Sequence, residues 1–149
     1  MDEFFREVSL NKILIVTLIS WIIAQTIKVI IGIIREKRFN FLWFIGTGGM
    51  PSSHAAGASA LATSVGIECG FNSVFFALAA MFALVTMFDA QGVRHSTGKQ
   101  AQILNRMMAD IYFKKRIQED RLKELIGHTP IQVFVGGLLG MFISILFFK

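Results

Sequence analysis

The chemistry this sequence could perform is concentrated in two histidines and the residues around them. His54 ends the run Gly48-Gly49-Met50-Pro51-Ser52-Ser53-His54, and His128 stands in Gly127-His128-Thr129-Pro130-Ile131-Gln132-Val133. Imidazole can attack an electrophile or carry a proton near neutral pH, so a pair of them suits group transfer. In the first run, glycines allow close backbone approach and proline sets the start of a helix. Serine hydroxyls and unsatisfied N–H groups at a helix N-terminus then make an anion site. The plainer reading of that run is a serine N-cap followed by a surface histidine. A histidine like His128 on its own is more often an interfacial residue than a catalyst.

Cations complete the set. Lys28 and Arg35 are seven residues apart, two helical turns and about 10 Å along one face. Lys28 lies inside an apolar run, where an ammonium must snorkel, pair or line a polar cavity. The competing reading is that Lys28 snorkels and Arg35 is an ordinary flanking charge. Two histidines, two hydroxyls and two cations brought to one membrane face would form a cup for a tetrahedral anion, and the reaction such a cup suits is hydrolysis of a phosphate ester.

The elements that must position these groups are apolar. Four segments stand out: Ile13 to Ile34, His54 to Ile67, Val74 to Ala90 and Ile131 to Phe148. The first and last are long enough to cross a bilayer, which takes about 20 residues. The second is shorter, but Ala55, Ala56, Gly57, Ala58, Ser59 and Ala60 are small residues that let helices approach, so it is expected to pack inside a bundle. Glu68-Cys69-Gly70-Phe71-Asn72 has the punctuation of a tight helical hairpin. Between Arg94 and Gly127, Leu104, Met107, Met108 and Ile111 recur at helical spacing among Lys114, Lys115, Arg116, Arg121 and Lys123. That pattern predicts a basic amphipathic helix, lying on headgroups or serving as a lid.

Composition points the same way. At 149 residues and 54% hydrophobic, with mean hydropathy +0.59, the chain is too apolar for a soluble domain of this size. Fifteen Phe against one Tyr and two Trp suits lipid-facing helices, since a ring with no polar atom needs no partner in hydrocarbon. Nucleic-acid binding would account for the net charge of +5 but not for the apolar runs. The single Cys69 makes no internal disulfide. The first apolar run exceeds a signal-peptide core and is followed by no small-x-small cleavage pattern, so it reads as a retained span.

With four spans, the Arg35 to Ser53 and Asp89 to Thr129 loops share one side. Eleven cations fall there, among them Arg35, Lys37, Arg38, Arg94, Lys99 and Arg106, whereas Arg6, Lys12 and Lys149 are left opposite. The positive-inside tendency then puts the loops and the histidines in the cytoplasm and both termini outside.

These motifs resemble the type 2 phosphatidic acid phosphatase superfamily, which is related to the vanadium-dependent haloperoxidases. Its members carry Lys-x6-Arg-Pro, Pro-Ser-Gly-His and Ser-Arg-x5-His-x3-Asp, often continuing Val-x2-Gly-x3-Gly. Lys28 to Arg35 matches the first apart from Glu36 in place of Pro. Pro51-Ser52-Ser53-His54 matches the second with Ser53 for Gly. His128, Gln132, Val133, Gly136 and Gly140 follow the third, with Gln132 in the Asp position. Gly48-Gly49-Met50-Pro51-Ser52-Ser53-His54, Asp89-Ala90-Gln91-Gly92-Val93-Arg94 and Gly127-His128-Thr129-Pro130 are closer still to a divergent branch of that superfamily. The resemblance covers about residues 28 to 140 and implies a short, four-span version that keeps the catalytic half.

The roles implied by the resemblance are these. His128 is the nucleophile and forms a phosphohistidine, and His54 is the general acid. Lys28, Arg35, Ser52 and Ser53 bind phosphate, with Gln132, Asp89 and Gly49 supporting. The family arginine six residues before the nucleophile falls on Leu122, so Arg121 or Arg94 would complete the site. No metal and no cofactor are implied. An amide at Gln132 orients the ring but supplies no charge.

The expectation is therefore an all-α integral membrane bundle of about four transmembrane helices plus a basic amphipathic cytoplasmic helix, one domain over residues 1–149. It would hydrolyse a lipid phosphate monoester or diphosphate in a bacterial cytoplasmic membrane, with membrane lipids as its partners. The rival reading, from Gln132 and the displaced arginine, is a catalytically weak or inactive protein that binds phospholipid headgroups or a partner. A channel or transporter subunit finds little support without a broken-helix repeat. Self-association into a homo-oligomer is left open.

Overall fold

A computed structural model describes residues 1–37, 49–91, 100–108 and 128–149. The described elements are helices: α1 (Asp2–Leu10), α2 (Lys12–Glu36), α3 (Ser53–Cys69), α4 (Val74–Gln91) and α5 (Pro130–Phe148). Residues 100–108 are also helical.

Local chemistry sets where these helices begin and end. The Asn11 side chain accepts from the N–H of Leu14 at 3.0 Å and opens α2. That helix stops where Lys37 turns left-handed (φ 51°) and its N–H closes on the Ile33 carbonyl at 2.9 Å. Ser52 caps α3 by accepting from the N–H of Ala55 at 3.3 Å. Gly70, at φ +91°, ends it in a backbone conformation that disfavours a side chain. Ser73 then caps α4, its hydroxyl accepting from the N–H of Phe76 at 3.1 Å. In α5, Pro130 occupies the first turn, and the Gln132 side chain reaches back to accept from the N–H of Thr129 at 3.0 Å. That is the returning half of a capping box.

Among the described residues, three helices, α2, α4 and α5, have the length and hydropathy to cross a membrane. The 25 residues of α2 reach about 37 Å, more than the roughly 30 Å of hydrocarbon. The fourth apolar segment, α3, has 17 residues and a different environment. It packs against α2, α4 and α5, and Ala55, Ala56, Gly57, Ala58, Ser59 and Ala60 are all buried. So α3 runs inside the bundle, as its small residues predict, whereas α4 presents Phe75, Leu78, Met81, Phe82, Val85 and Phe88 outward.

The closest packing is between α3 and α5, which run parallel. A Cβ at Gly136 would collide with the Ser52 carbonyl oxygen, and one at Gly140 with the Ala56 carbonyl and the Ser59 hydroxyl. Backbone contact this close is what small residues four apart permit in lipid, where no hydrophobic force drives helices together. Hydroxyls then bridge the pair. Ser59 donates to the Gly137 carbonyl at 2.8 Å, Ser64 to the Ser144 hydroxyl at 3.1 Å, and Ser144 to the Ala60 carbonyl at 3.0 Å. At the far end, Lys12 Nζ lies 4.3 Å from the Phe148 ring centroid, so α2 runs antiparallel to α5. The C-termini of α2 and α4 and the N-termini of α3 and α5 therefore meet at one end of the bundle.

Part of the expected amphipathic helix is present: within residues 100–108, Leu104 and Met107 are exposed together with Ile103. Ile111 and the basic positions from Lys114 to Lys123 lie outside the described residues.

Candidate functional site

At the end where four helix termini meet, Ser52 is the junction. Its side chain is fully buried. Its N–H donates to the Gln132 carbonyl at 3.0 Å, and its own carbonyl accepts from the N–H of Ala56 at 3.0 Å. The cap of α3 is thereby tied to the first turn of α5. A third helix joins through His128, whose main-chain N–H donates to the Ala90 carbonyl at 3.2 Å, at the end of α4. Ala55, Ala90 and Val133, with Met87 against them, fill the space beneath.

These ties bring the histidines together. The His54 and His128 ring centroids are 6.2 Å apart at an interplanar angle of 60°. His128 is 1% exposed, and His54 is half-buried on the first turn of α3. His128 Nδ1 lies 3.3 Å from Gln132 Oε1, the same oxygen that accepts from the Thr129 N–H. A main-chain N–H only donates, so the Gln132 atom facing it is the acceptor, and the His128 Nδ1 facing that atom must carry the proton. The lone pair of His128 is then on Nε2.

Lys28 is buried although it carries a charge. Its ammonium donates to Gln25 Oε1 at 2.9 Å, and its stem passes under Gly49. A Cβ at Gly49 would lie 3.0 and 3.3 Å from Lys28 Cγ and Cδ, and φ there is +88°. The left-handed backbone favours glycine here, and the approach of the lysine leaves a side chain little room. The glycine that admits Lys28 lies three residues before the Ser52 cap.

The predicted residues thus divide. Ser52, Ser53, His54, His128 and Gln132 converge at the starts of α3 and α5, and Ser53 is 1% exposed. Lys28 and Gly49 form a second contact, joined to the first by the short Gly49 to Ser52 stretch. Arg35 is exposed in the last turn of α2, and Asp89 is half-buried in the last turn of α4 beside Ala90. Arg94 and Arg121 lie outside the described residues. The positive ends of two helix dipoles, α3 and α5, are directed at this place, which favours an anion.

Gln25 escapes motif reasoning. The signal that could have found it is a carboxamide inside an apolar run, three residues before a buried lysine and hence on the same helix face.

Fold and site together define an integral membrane helical bundle with a two-histidine cluster at one end. The chain belongs to the divergent PAP2 family, whose model matches residues 9–143. It is similar to an uncharacterized membrane protein, YuiD, of Bacillus subtilis (strain 168). The two are 41% identical over 150 residues, spanning 93% of this chain and 95% of that one. No solved structure matches the chain.

Proposed function

We propose that this protein is a membrane phosphatase that hydrolyses a lipid phosphate monoester or diphosphate through a phosphohistidine. The observation that carries the reading is His128, buried with its proton directed to Nδ1 by Gln132 and its ring 6.2 Å from that of His54. In the first step His128 Nε2 attacks phosphorus, the bond from phosphorus to the ester oxygen breaks, and protonated His54 gives its proton to that oxygen. In the second, water attacks the phosphohistidine, neutral His54 takes the water's proton, and inorganic phosphate leaves. Gln132 Oε1 accepts from Nδ1–H throughout and orients the ring as positive charge builds on it.

Lys28, Arg35, Ser52 and Ser53, with the N-termini of α3 and α5, would hold the phosphoryl oxygens, and Arg94 or Arg121 would complete the set. Fixed charge of this kind supplies most of the catalysis in phosphoryl transfer. The distribution of Lys and Arg supports a cytoplasmic site, the relative in Bacillus subtilis supports a bacterial plasma membrane, and an apolar, lipid-facing exterior suits a substrate delivered within the bilayer.

The test is phosphate release from vesicles containing phosphatidic acid, phosphatidylglycerol phosphate or a polyprenyl phosphate. Turnover of at least one lipid, inhibited by vanadate and lost in His128→Ala, is the expected result. Turnover that survives His128→Ala would refute the nucleophile. One observation favours a second reading: Gln132 is neutral where a carboxylate would have stabilised the imidazolium. On that reading the site binds headgroup phosphate without turning it over, and vanadate binds where no phosphate is released.

A further inference from the structure

The amphipathic helix α1 lies at the end of the bundle away from the histidines. Met1, Phe4, Phe5 and Val8 recur at helical spacing and fall on one face, while Glu3, Arg6, Glu7 and Ser9 fall on the other. The apolar face is uncovered: Phe4 is 63% exposed, Phe5 62% and Val8 38%. The two rings meet edge to face with centroids 5.6 Å apart, forming one apolar ridge. A single residue, Asn11, separates α1 from the span α2. Asn11 is extended (ψ 92°) while its side chain caps α2, so the chain changes direction between the two helices. Beyond Asn11 the outward surface of α2 continues with exposed Leu14, Ile15 and Leu18, which face lipid.

We propose that α1 is an interfacial helix lying in the plane of the membrane on the face opposite the histidines. Its Phe4–Phe5–Val8 ridge is buried at the boundary between headgroups and acyl chains, where it sets the depth of α2. The occupant of the exposed face is lipid, because α1 is joined through the single residue Asn11 to a span whose adjoining turns expose Leu14, Ile15 and Leu18, and because phenylalanine needs no hydrogen-bond partner there. The polar face, with Glu3 and Glu7 against Arg6, offers little to anionic headgroups, so zwitterionic lipid is the expected surface. The consequence reaches the site. Lys28 follows Lys12 by sixteen residues of continuous helix, about 24 Å at the helical rise, so anchoring the start of α2 at one boundary holds Lys28 just short of the other.

Spin labels on the full chain in phosphatidylcholine vesicles test this, with Cys69→Ser removing the native thiol. A label at Phe5→Cys should collide mainly with dissolved oxygen, and one at Glu3→Cys mainly with an aqueous nickel chelate. Val8→Cys serves as a second probe of the apolar face should the Phe5 variant misfold. Nickel-dominated collisions at both Phe5 and Glu3 would place α1 in water and overturn the proposal. Shielding of Phe5 and Val8 from both reagents would also overturn it and identify a protein partner or a second copy instead. Replacing Phe4 and Phe5 with Ser should raise nickel access at a Leu14→Cys label, and unchanged access there would overturn the depth-setting role.

Discussion

The main-chain N–H of Ser52 donates to the carbonyl oxygen of Gln132 across 3.0 Å. The bond joins the cap of one helix to the first turn of another eighty positions away. Both partners are otherwise engaged in their own helix starts, Ser52 through its hydroxyl and Gln132 through its side chain. One backbone bond therefore fixes the position of the hydroxyl-bearing turn relative to the residue that orients His128.

That bond depends on Gly136. Replacing it with Ala drives a methyl into the Ser52 carbonyl and brings it to 3.1 Å from the Ser52 nitrogen and 3.2 Å from the Ala55 Cβ. Backbone cannot move aside cheaply, so Gly136→Ala should cost about 1–3 kcal/mol of stability and lower activity with it. The matched control is Gly137→Ala, whose methyl would meet only the Met87 sulfur at 3.7 Å and should be tolerated. Thermal unfolding in detergent measures both.

Gln132 contributes an acceptor and no charge. Gln132→Leu removes the acceptor that selects the His128 tautomer and should lower kcat by about 100-fold or more, in the range that correct proton placement contributes. Gln132→Glu keeps an acceptor and adds a negative charge beside the forming imidazolium, so it should hold or raise kcat. Steady-state turnover of the best lipid substrate separates the two variants.

Gln25 and Gly49 both lie against Lys28, so the proposed phosphate-binding role of Lys28 makes them positioning residues for it. Gln25→Leu leaves a buried ammonium short of a charge-assisted hydrogen bond, worth about 1.5 kcal/mol or more, and Gly49→Ala pushes against its stem. Each should weaken vanadate inhibition roughly tenfold, and Lys28→Met should weaken it further. Vanadate titration reads the effect, and unchanged affinity in all three would place Lys28 outside the phosphate site.

Hydroxyls deeper in the bundle offer a contrast. Ser64 and Ser144 bond each other at 3.1 Å far from the histidines. Ser64→Ala removes that one bond and should cost about 0.6 kcal/mol, typical for a side-chain bond between helices in a membrane. Ser144→Ala also removes the bond to the Ala60 carbonyl and should cost roughly twice as much, and both should leave kcat and KM unchanged. A double-mutant cycle on unfolding, run beside the activity assay, checks both halves.

Much of this protein is legible along the chain because the bilayer restricts what a segment can do. A run such as Ile13 to Ile34 has to satisfy its own backbone in hydrocarbon, so it is a helix, and it forms the body of α2. The Ser52 cap, the Gly70 turn and the Pro130 start are similarly local, since each bonds or strains the residues next to it. The four segments read from apolar runs agree with α2 to α5 to within one or two residues, and the motifs around Pro51 and His128 lead to the family to which the chain belongs.

What only the tertiary structure decided is which of these groups share a space. The neighbourhood of Lys28 offers Gln25 on the same helix face as a partner, but it does not announce that the lysine stem is buried under Gly49 while Arg35, on the same stretch of helix, stays exposed. Nor does the local sequence show that His128 and His54 stand 6.2 Å apart. Periodicity and capping are properties of neighbours along the chain. The meeting of the two rings instead depends on how closely two backbones approach, and that is determined by the absence of side chains at Gly136 and Gly140 on a facing helix.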